Sequence, residues 1–171
     1  LDALYAAGGS DRVALYLNYE RQEESGVYVD GQTYLPAAWV DANLNERFYW
    51  DANEEILVYT LPEEIVKSDE TTVDEDGKKI LYRDGDAVYL SLALIQKYTD
   101  VRLQAYDGEA QKRVFVENNW DPVTVADAAW SAKIRLRGGL KSPIVTEIKR
   151  GGTVTVLEQY DNWARVMTPD G

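Results

Sequence analysis

One pattern occurs twice in this chain and constrains its fold more than any single residue. The first copy runs Val27-Tyr28-Val29-Asp30-Gly31-Gln32-Thr33-Tyr34-Leu35-Pro36, continues as Ala37-Ala38-Trp39-Val40, and ends on Arg47-Phe48-Tyr49-Trp50-Asp51 and Ile56-Leu57-Val58-Tyr59. The second runs Ile80-Leu81-Tyr82-Arg83-Asp84-Gly85-Asp86-Ala87-Val88-Tyr89-Leu90-Ser91, then Leu92-Ala93-Leu94-Ile95, then Val101 to Asp107 and Arg113 to Val116. Asp30-Gly31 recurs as Asp84-Gly85, Tyr34 as Tyr89, and Trp50-Asp51 as Tyr106-Asp107, at an offset of about 54 to 57 residues. A repeated packing unit builds a scaffold or a binding surface more readily than a catalytic constellation.

Each copy reads as hairpin, short helix, hairpin. Asp30-Gly31 between β-prone runs is a hairpin signal. Pro36 ends a strand and opens a helix, because proline suits the first helical turn. Ser91 is a good N-cap for the second helix. Upstream, Val13 to Tyr19 is apolar and β-prone, and Gln22-Glu23-Glu24-Ser25-Gly26 reads as a turn. Between the copies, Lys67 to Lys79 is acidic and lacks the spacing and bidentate Glu of an EF-hand, so it reads as an exposed loop. After Trp120-Asp121-Pro122 the style changes to short strands: Ala132 to Arg137, Ile144 to Ile148, Thr153 to Tyr160 and Trp163 to Thr168, with turns between them. The expected fold class is α+β: a duplicated hairpin–short helix–hairpin domain followed by a small β-barrel. The expected divisions are a linker over 1–12, the duplicated domain over 13–119, and the barrel over 120–171. The chain stops at Gly171 inside a turn, so the expected barrel is incomplete, with an exposed edge strand.

Composition narrows the chemistry. There are no histidines and no cysteines, which removes Ser-His-Asp and Cys-His nucleophile systems and the usual ligands of zinc and copper. No cofactor is expected. A net charge of −12 argues against nucleic acid, whose phosphates need Lys and Arg. The charge is lopsided: residues 1–119 carry 24 acids and 11 bases, a net −13, whereas 120–171 carry 6 acids and 7 bases, a net +1. No run of 18 apolar residues offers a membrane span, and no leader opens the chain.

The repeated unit resembles the copper amine oxidase N-terminal-like domain of bacterial surface proteins, through Asp30-Gly31, Tyr34-Leu35-Pro36 and Tyr49-Trp50-Asp51. The second copy departs from it, with Ser91 for the proline and Tyr106 for the tryptophan. Despite its name that domain is not the copper-binding one. Residues from about 124 onward resemble a bacterial SH3-like domain, through the blocks at Ile134–Gly139, Ile144–Gly151, Val154–Leu157 and Asn162–Val166. In that family a closing Gly-Tyr-Val strand follows a turn like Asp170-Gly171, and it is missing here. In this order the two resemble the accessory region of clostridial-type family 18 glycoside hydrolases. The acidic Asp-x-x-Asp-x-Asp-x-Glu signature of their catalytic barrel does not occur in this chain.

The resemblance implies a non-catalytic, extracellular or cell-surface accessory region. It would hold a downstream glycan-active catalytic domain against cell wall or polysaccharide. The alternative is a protein-interaction or assembly module without glycan contact. Nineteen aromatics are available for stacking on sugar rings. Tyr34, Tyr89, Trp50 and Tyr106 recur at equivalent positions and are expected in packing. The candidate ligand-binding residues are Tyr160, Asp161 and Trp163, around the last complete turn, and Trp39 and Tyr49, expected to be exposed; Trp130 is also expected to be exposed. Trp163 opens a strand at a place that borders a ligand groove in some SH3-like barrels and packs in others. No carboxylate pair stands out for glycoside chemistry, which needs two acids at a set separation. Asp51 and Asp107 sit in hairpin turns, where Asp bonds to local backbone.

Overall fold

Strand Val13-Ala14-Leu15 is fully buried, and the larger part of the molecule is arranged around it. A computed structural model describes residues 11–107, 112–119 and 123–171. In order the elements are β1 (Arg12–Leu17), β2 (Glu20–Val29), β3 (Gln32–Pro36), α1 (Ala37–Asn43), β4 (Phe48–Asp51), β5 (Ile56–Thr60), β6 (Ile65–Ser68), β7 (Leu81–Asp84), β8 (Ala87–Ser91), α2 (Leu92–Tyr98), β9 (Arg102–Tyr106) and β10 (Arg113–Glu117). They continue with β11 (Thr124–Asp127), β12 (Ala132–Arg135), β13 (Ile144–Ile148), β14 (Thr153–Gln159) and β15 (Ala164–Met167). The described residues fall into two compact units, one ending at Asn119 and the other running from 123 onward.

The expected α+β class does not hold. The chain is mostly β, with two helices of seven residues each, and its strands lie in several sheets. In the larger unit a seven-stranded sheet has the order β7-β8-β3-β2-β1-β10-β9. The leading hairpins of the two sequence copies, β2-β3 and β7-β8, lie side by side in it through Tyr34 opposite Ser91 and Leu35 opposite Leu90. The trailing hairpins part company. β9-β10 joins the far side of the same sheet, whereas β4-β5 forms a separate three-stranded sheet with β6. The two copies therefore share local sequence but not strand order, and no repeated hairpin–helix–hairpin body exists.

β10 runs parallel to β1, with Ala14 opposite Arg113 and Leu17 opposite Val116. The β1–β10 junction is clasped by side-chain amides. Asn18 Nδ2 donates to Asn118 Oδ1 at 2.8 Å, and Asn18 Oδ1 accepts from the backbone N–H groups of Asn118 and Asn119. On the opposite edge of β1 the chain reverses at Asn18 and Tyr19, both at positive φ (46° and 71°). β2 then runs unbroken through Gln22 to Gly26, so the turn expected there is absent. Gly26 is in the strand because a Cβ would meet the Tyr34 carbonyl oxygen at 2.8 Å and the Leu35 side chain at 3.1 Å.

The core lies on one face of the large sheet. Val13, Leu15, Leu35, Leu81, Leu90, Val114 and Val116 face Trp39 and Val40 of α1, Leu94 and Ile95 of α2, and Phe48, Leu57 and Tyr59 of the smaller sheet. Alternation sends the neighbouring residues to the other face. There Val27, Tyr34 and Tyr89 are buried together, with Val29 and Tyr82 packed against them. Ser91 Oγ accepts from the Leu94 N–H and caps α2, whereas Pro36 opens α1 without a side-chain cap.

In the smaller unit the expected single barrel is replaced by two separate sheets, β11-β14-β15 and β12-β13. Among the described residues β15 pairs with β14 alone. The expected linker lies mostly outside the described residues, although Arg12 already belongs to β1. Trp120-Asp121-Pro122 lies outside them too. No helix among the described residues is long and apolar enough to cross a membrane.

Two substitutions check this packing by urea denaturation. Gly26→Ala is expected to lower stability by about 1–3 kcal/mol, because its contact is with backbone that cannot swing away. Asn18→Gly keeps the left-handed backbone accessible but removes the clasp, and is expected to cost about 1 kcal/mol. An unchanged midpoint in either variant would contradict the contacts described.

Candidate functional site

Of the five residues singled out from sequence, three come together. Tyr160, Asp161 and Trp163 lie at the reversal between β14 and β15. The backbone N–H of Tyr160 donates to the Trp163 carbonyl at 2.8 Å, which closes the turn around Asp161 and Asn162. The Trp163 ring packs over Gly138, where a Cβ would touch its Cγ at 3.4 Å. The indole is thus backed by main chain and remains 37% exposed. Tyr160 is 56% exposed, and its hydroxyl donates to Glu158 Oε2 at 2.6 Å. That hydrogen bond, with the carboxylate's charge, raises the Tyr160 pKa above the ordinary phenol range. Arg165 approaches the same carboxylate at 3.9 Å. Trp130, in the same unit, is 75% exposed and carries the Arg150 guanidinium over its ring at 5.9 Å. Two aromatic side chains held by neighbours, beside a turn rich in hydrogen-bonding groups, make a surface able to stack on a ring and bond its hydroxyls.

The other two candidates lie in the larger unit and do not join this surface. Tyr49 is exposed on the outward face of β4, in a row with Val58 and Lys67. Trp39 corrects the expectation of exposure. It is buried under α1, and its indole N–H donates to Gln22 Oε1 at 3.2 Å. The sequence showed an aromatic in a short helix but not which side of that helix meets the sheet.

The larger unit holds a feature that sequence reasoning missed. A cavity of about 450 Å³ opens between the inner face of β4-β5-β6, one side of α2 and the loop at 72–76. Phe48, Tyr59 and Tyr98 form its aromatic wall. Tyr59 and Tyr98 stack at 4.1 Å between centroids, and Phe48 meets Tyr59 at 4.7 Å. Asn45 holds that wall in place by donating to the Tyr59 hydroxyl, the Tyr98 carbonyl and Thr99 Oγ1. Lys97 places its ammonium over the Tyr98 ring at 5.4 Å. The acidic loop bends back on itself: Asp69 Oδ1 accepts from Thr71, and Asp74 Oδ1 accepts from the N–H groups of Asp76 and Lys78. The Thr71 bonds hold the Asp69 carboxyl below its usual range. Among the described residues no three metal-ligating side chains gather at one point. Asp51 bonds the N–H groups of Asn53 and Glu54 and is spent on its turn.

No family model, curated protein or solved structure matches the chain.

Removing Glu158 tests the hairpin geometry. In Glu158→Ala the Tyr160 phenol is expected to titrate at lower pH than in the parent, followed by NMR of ring-labelled tyrosine. An unshifted Tyr160 would show that the 2.6 Å contact does not persist in solution.

Proposed function

We propose that this chain is a non-catalytic, extracellular accessory region whose 123–171 unit binds cell-wall glycan or polysaccharide and positions an attached glycan-active catalytic domain, of the family 18 glycoside hydrolase kind. The observation carrying this reading is the exposed aromatic pair Tyr160 and Trp163, held beside Glu158, Asp161 and Asn162. Exposed aromatic surface rimmed by polar groups marks binding sites more often than chance placement. A sugar ring fits such a surface, because its C–H faces stack and its equatorial hydroxyls meet the polar rim. The absence of histidine and cysteine from the sequence adds support for binding over chemistry.

One observation favours the protein-interaction alternative. No residue described in 123–171 is fully buried, and among the described residues β15 pairs on one side alone, with β14, so a partner's strand can add to its other side. Co-sedimentation separates the two. The chain is expected to pellet with insoluble peptidoglycan or chitin. Trp163→Ala and Tyr160→Ala are each expected to weaken retention about two- to tenfold, as loss of about 0.5–1.5 kcal/mol of ring contact implies. Absence of retention on either polymer overturns the glycan reading and favours the alternative.

A further inference from the structure

We propose that the cavity of the larger unit is a binding site for an organic cation: a primary ammonium carried on an apolar, preferably aromatic, body. Its volume of about 450 Å³ lies within the range of small-molecule sites. Its walls divide by chemistry. Leu57, Val66 and Leu94 join the aromatic cluster of Phe48, Tyr59 and Tyr98 on the apolar side. The polar groups are Ser68 on the inner face of β6, the acidic loop that follows it, and Lys97 of α2.

Ser68 is the pointer to a ligand. It pairs with Leu57 across β5 and β6, which puts its side chain on the inner face of the sheet. It is 9% exposed and lines the cavity, and its hydroxyl has no hydrogen-bond partner among the described residues. The buried side-chain polar atoms left without a partner among the described residues are Thr33 Oγ1 and Arg83 Nε, so Ser68 Oγ meets the open space of the cavity. A ligand N–H entering the cavity can donate to Ser68 Oγ.

The charge of the ligand follows from the rim. Asp74 is committed to the backbone of its own loop. The carboxylates of Glu75 and Asp76 make no ion pair or hydrogen bond among the described residues, and both border the cavity. Lys67 also borders it, but strand alternation sends its side chain to the far face with Tyr49 and Val58. Lys97 is the one cation on the inner side among the described residues, and its seat over Tyr98 shows that this aromatic wall accepts positive charge. Two unengaged carboxylates beside an electron-rich wall favour a cation over an anion. A primary ammonium carries N–H groups for the Ser68 hydroxyl and for the rim carboxylates, whereas a quaternary one carries none.

The test uses the full chain and three probes of matched shape: phenethylammonium, 3-phenylpropionate and 2-phenylethanol. Binding is followed by amide NMR shifts and calorimetry. Phenethylammonium is expected to shift amides of 68–76 and 94–98 and to bind at least tenfold more tightly than the other two. The double variant Glu75→Gln/Asp76→Asn, at exposed positions that carry no packing, is expected to weaken it about fivefold or more. Leu94→Trp, which fills the cavity, is expected to abolish it. Four outcomes overturn the proposal: no binding, shifts confined elsewhere, a carboxylate or alcohol that binds as tightly as the ammonium, or affinity unchanged in the double variant. Failure here leaves the glycan reading of the other unit untouched.

Discussion

The parallel pairing of β1 with β10 is the constraint on which the larger unit depends. β1 holds β2 on one side and β10 on the other, so both its edges are paired and its side chains can be fully buried. From that centre the sheet grows outward by antiparallel steps, through β2, β3, β8 and β7 on one side and β9 on the other. A parallel neighbour requires a crossover, because no tight turn can join strands that run the same way. Here the crossover contains most of the unit: both helices and the small sheet lie within it in sequence. Those elements then cover the apolar face that the pairing creates. Asn18 and Asn118 seal the end of the pair with side-chain amides where the backbone ladder runs out.

A second tie holds the small sheet to the large one. Arg83, on the edge strand β7, places its guanidinium 5.3 Å from the Trp50 ring centroid and 3.0 Å from Glu55 Oε1, with Glu70 at 3.8 Å. The contacts draw the β4-β5 hairpin and the start of the acidic loop to one arginine. Its charge is held, and its pKa raised, by the Glu55 hydrogen bond first. The equivalent aromatic of the second sequence copy, Tyr106, lies under Arg113 at 4.3 Å. Trp50 and Tyr106 thus each receive a guanidinium, from strands of different origin. The repetition survives as local packing chemistry after the two halves have taken different places in the fold.

Several features were legible from sequence for reasons that are local. Asp30-Gly31 and Gly85 take the positive φ that a tight hairpin demands, and Ser91 caps its helix as its chemistry allows. The reversal at Asn18 and Tyr19 carried no glycine, and Gly26 drew attention to a turn that is absent. Its smallness answers the Tyr34 carbonyl, a neighbour from another strand. The assignment of β4-β5 and β9-β10 to different sheets depends on what each finds to pair with. That is a property of the assembled core, invisible in two similar strings. Trp39 was misplaced because a two-turn helix shows no clear stripe. Ser68 was missed because one serine at a strand end means nothing until the register says which face it is on. Tyr160, Asp161 and Trp163 were found together because a single turn holds them, so sequence proximity and spatial proximity coincide.

The position of β1 also bears on how the chain comes off the ribosome. β2 follows β1 directly and can pair with it at once, but β10 is about 100 residues later. At a synthesis rate of about 5–20 residues per second, one edge of β1 waits on the order of 5–20 s for its permanent neighbour. During that interval the nascent chain displays Val13 and Leu15 beside a row of open backbone groups, the combination that invites intermolecular pairing. The ten-residue β2, with Glu20, Glu23 and Glu24 in its first half, gives the immature hairpin a charged flank over the same period. Those acids, in the stretch expected from sequence to turn, keep the early hairpin charged while the sheet waits for its last strands.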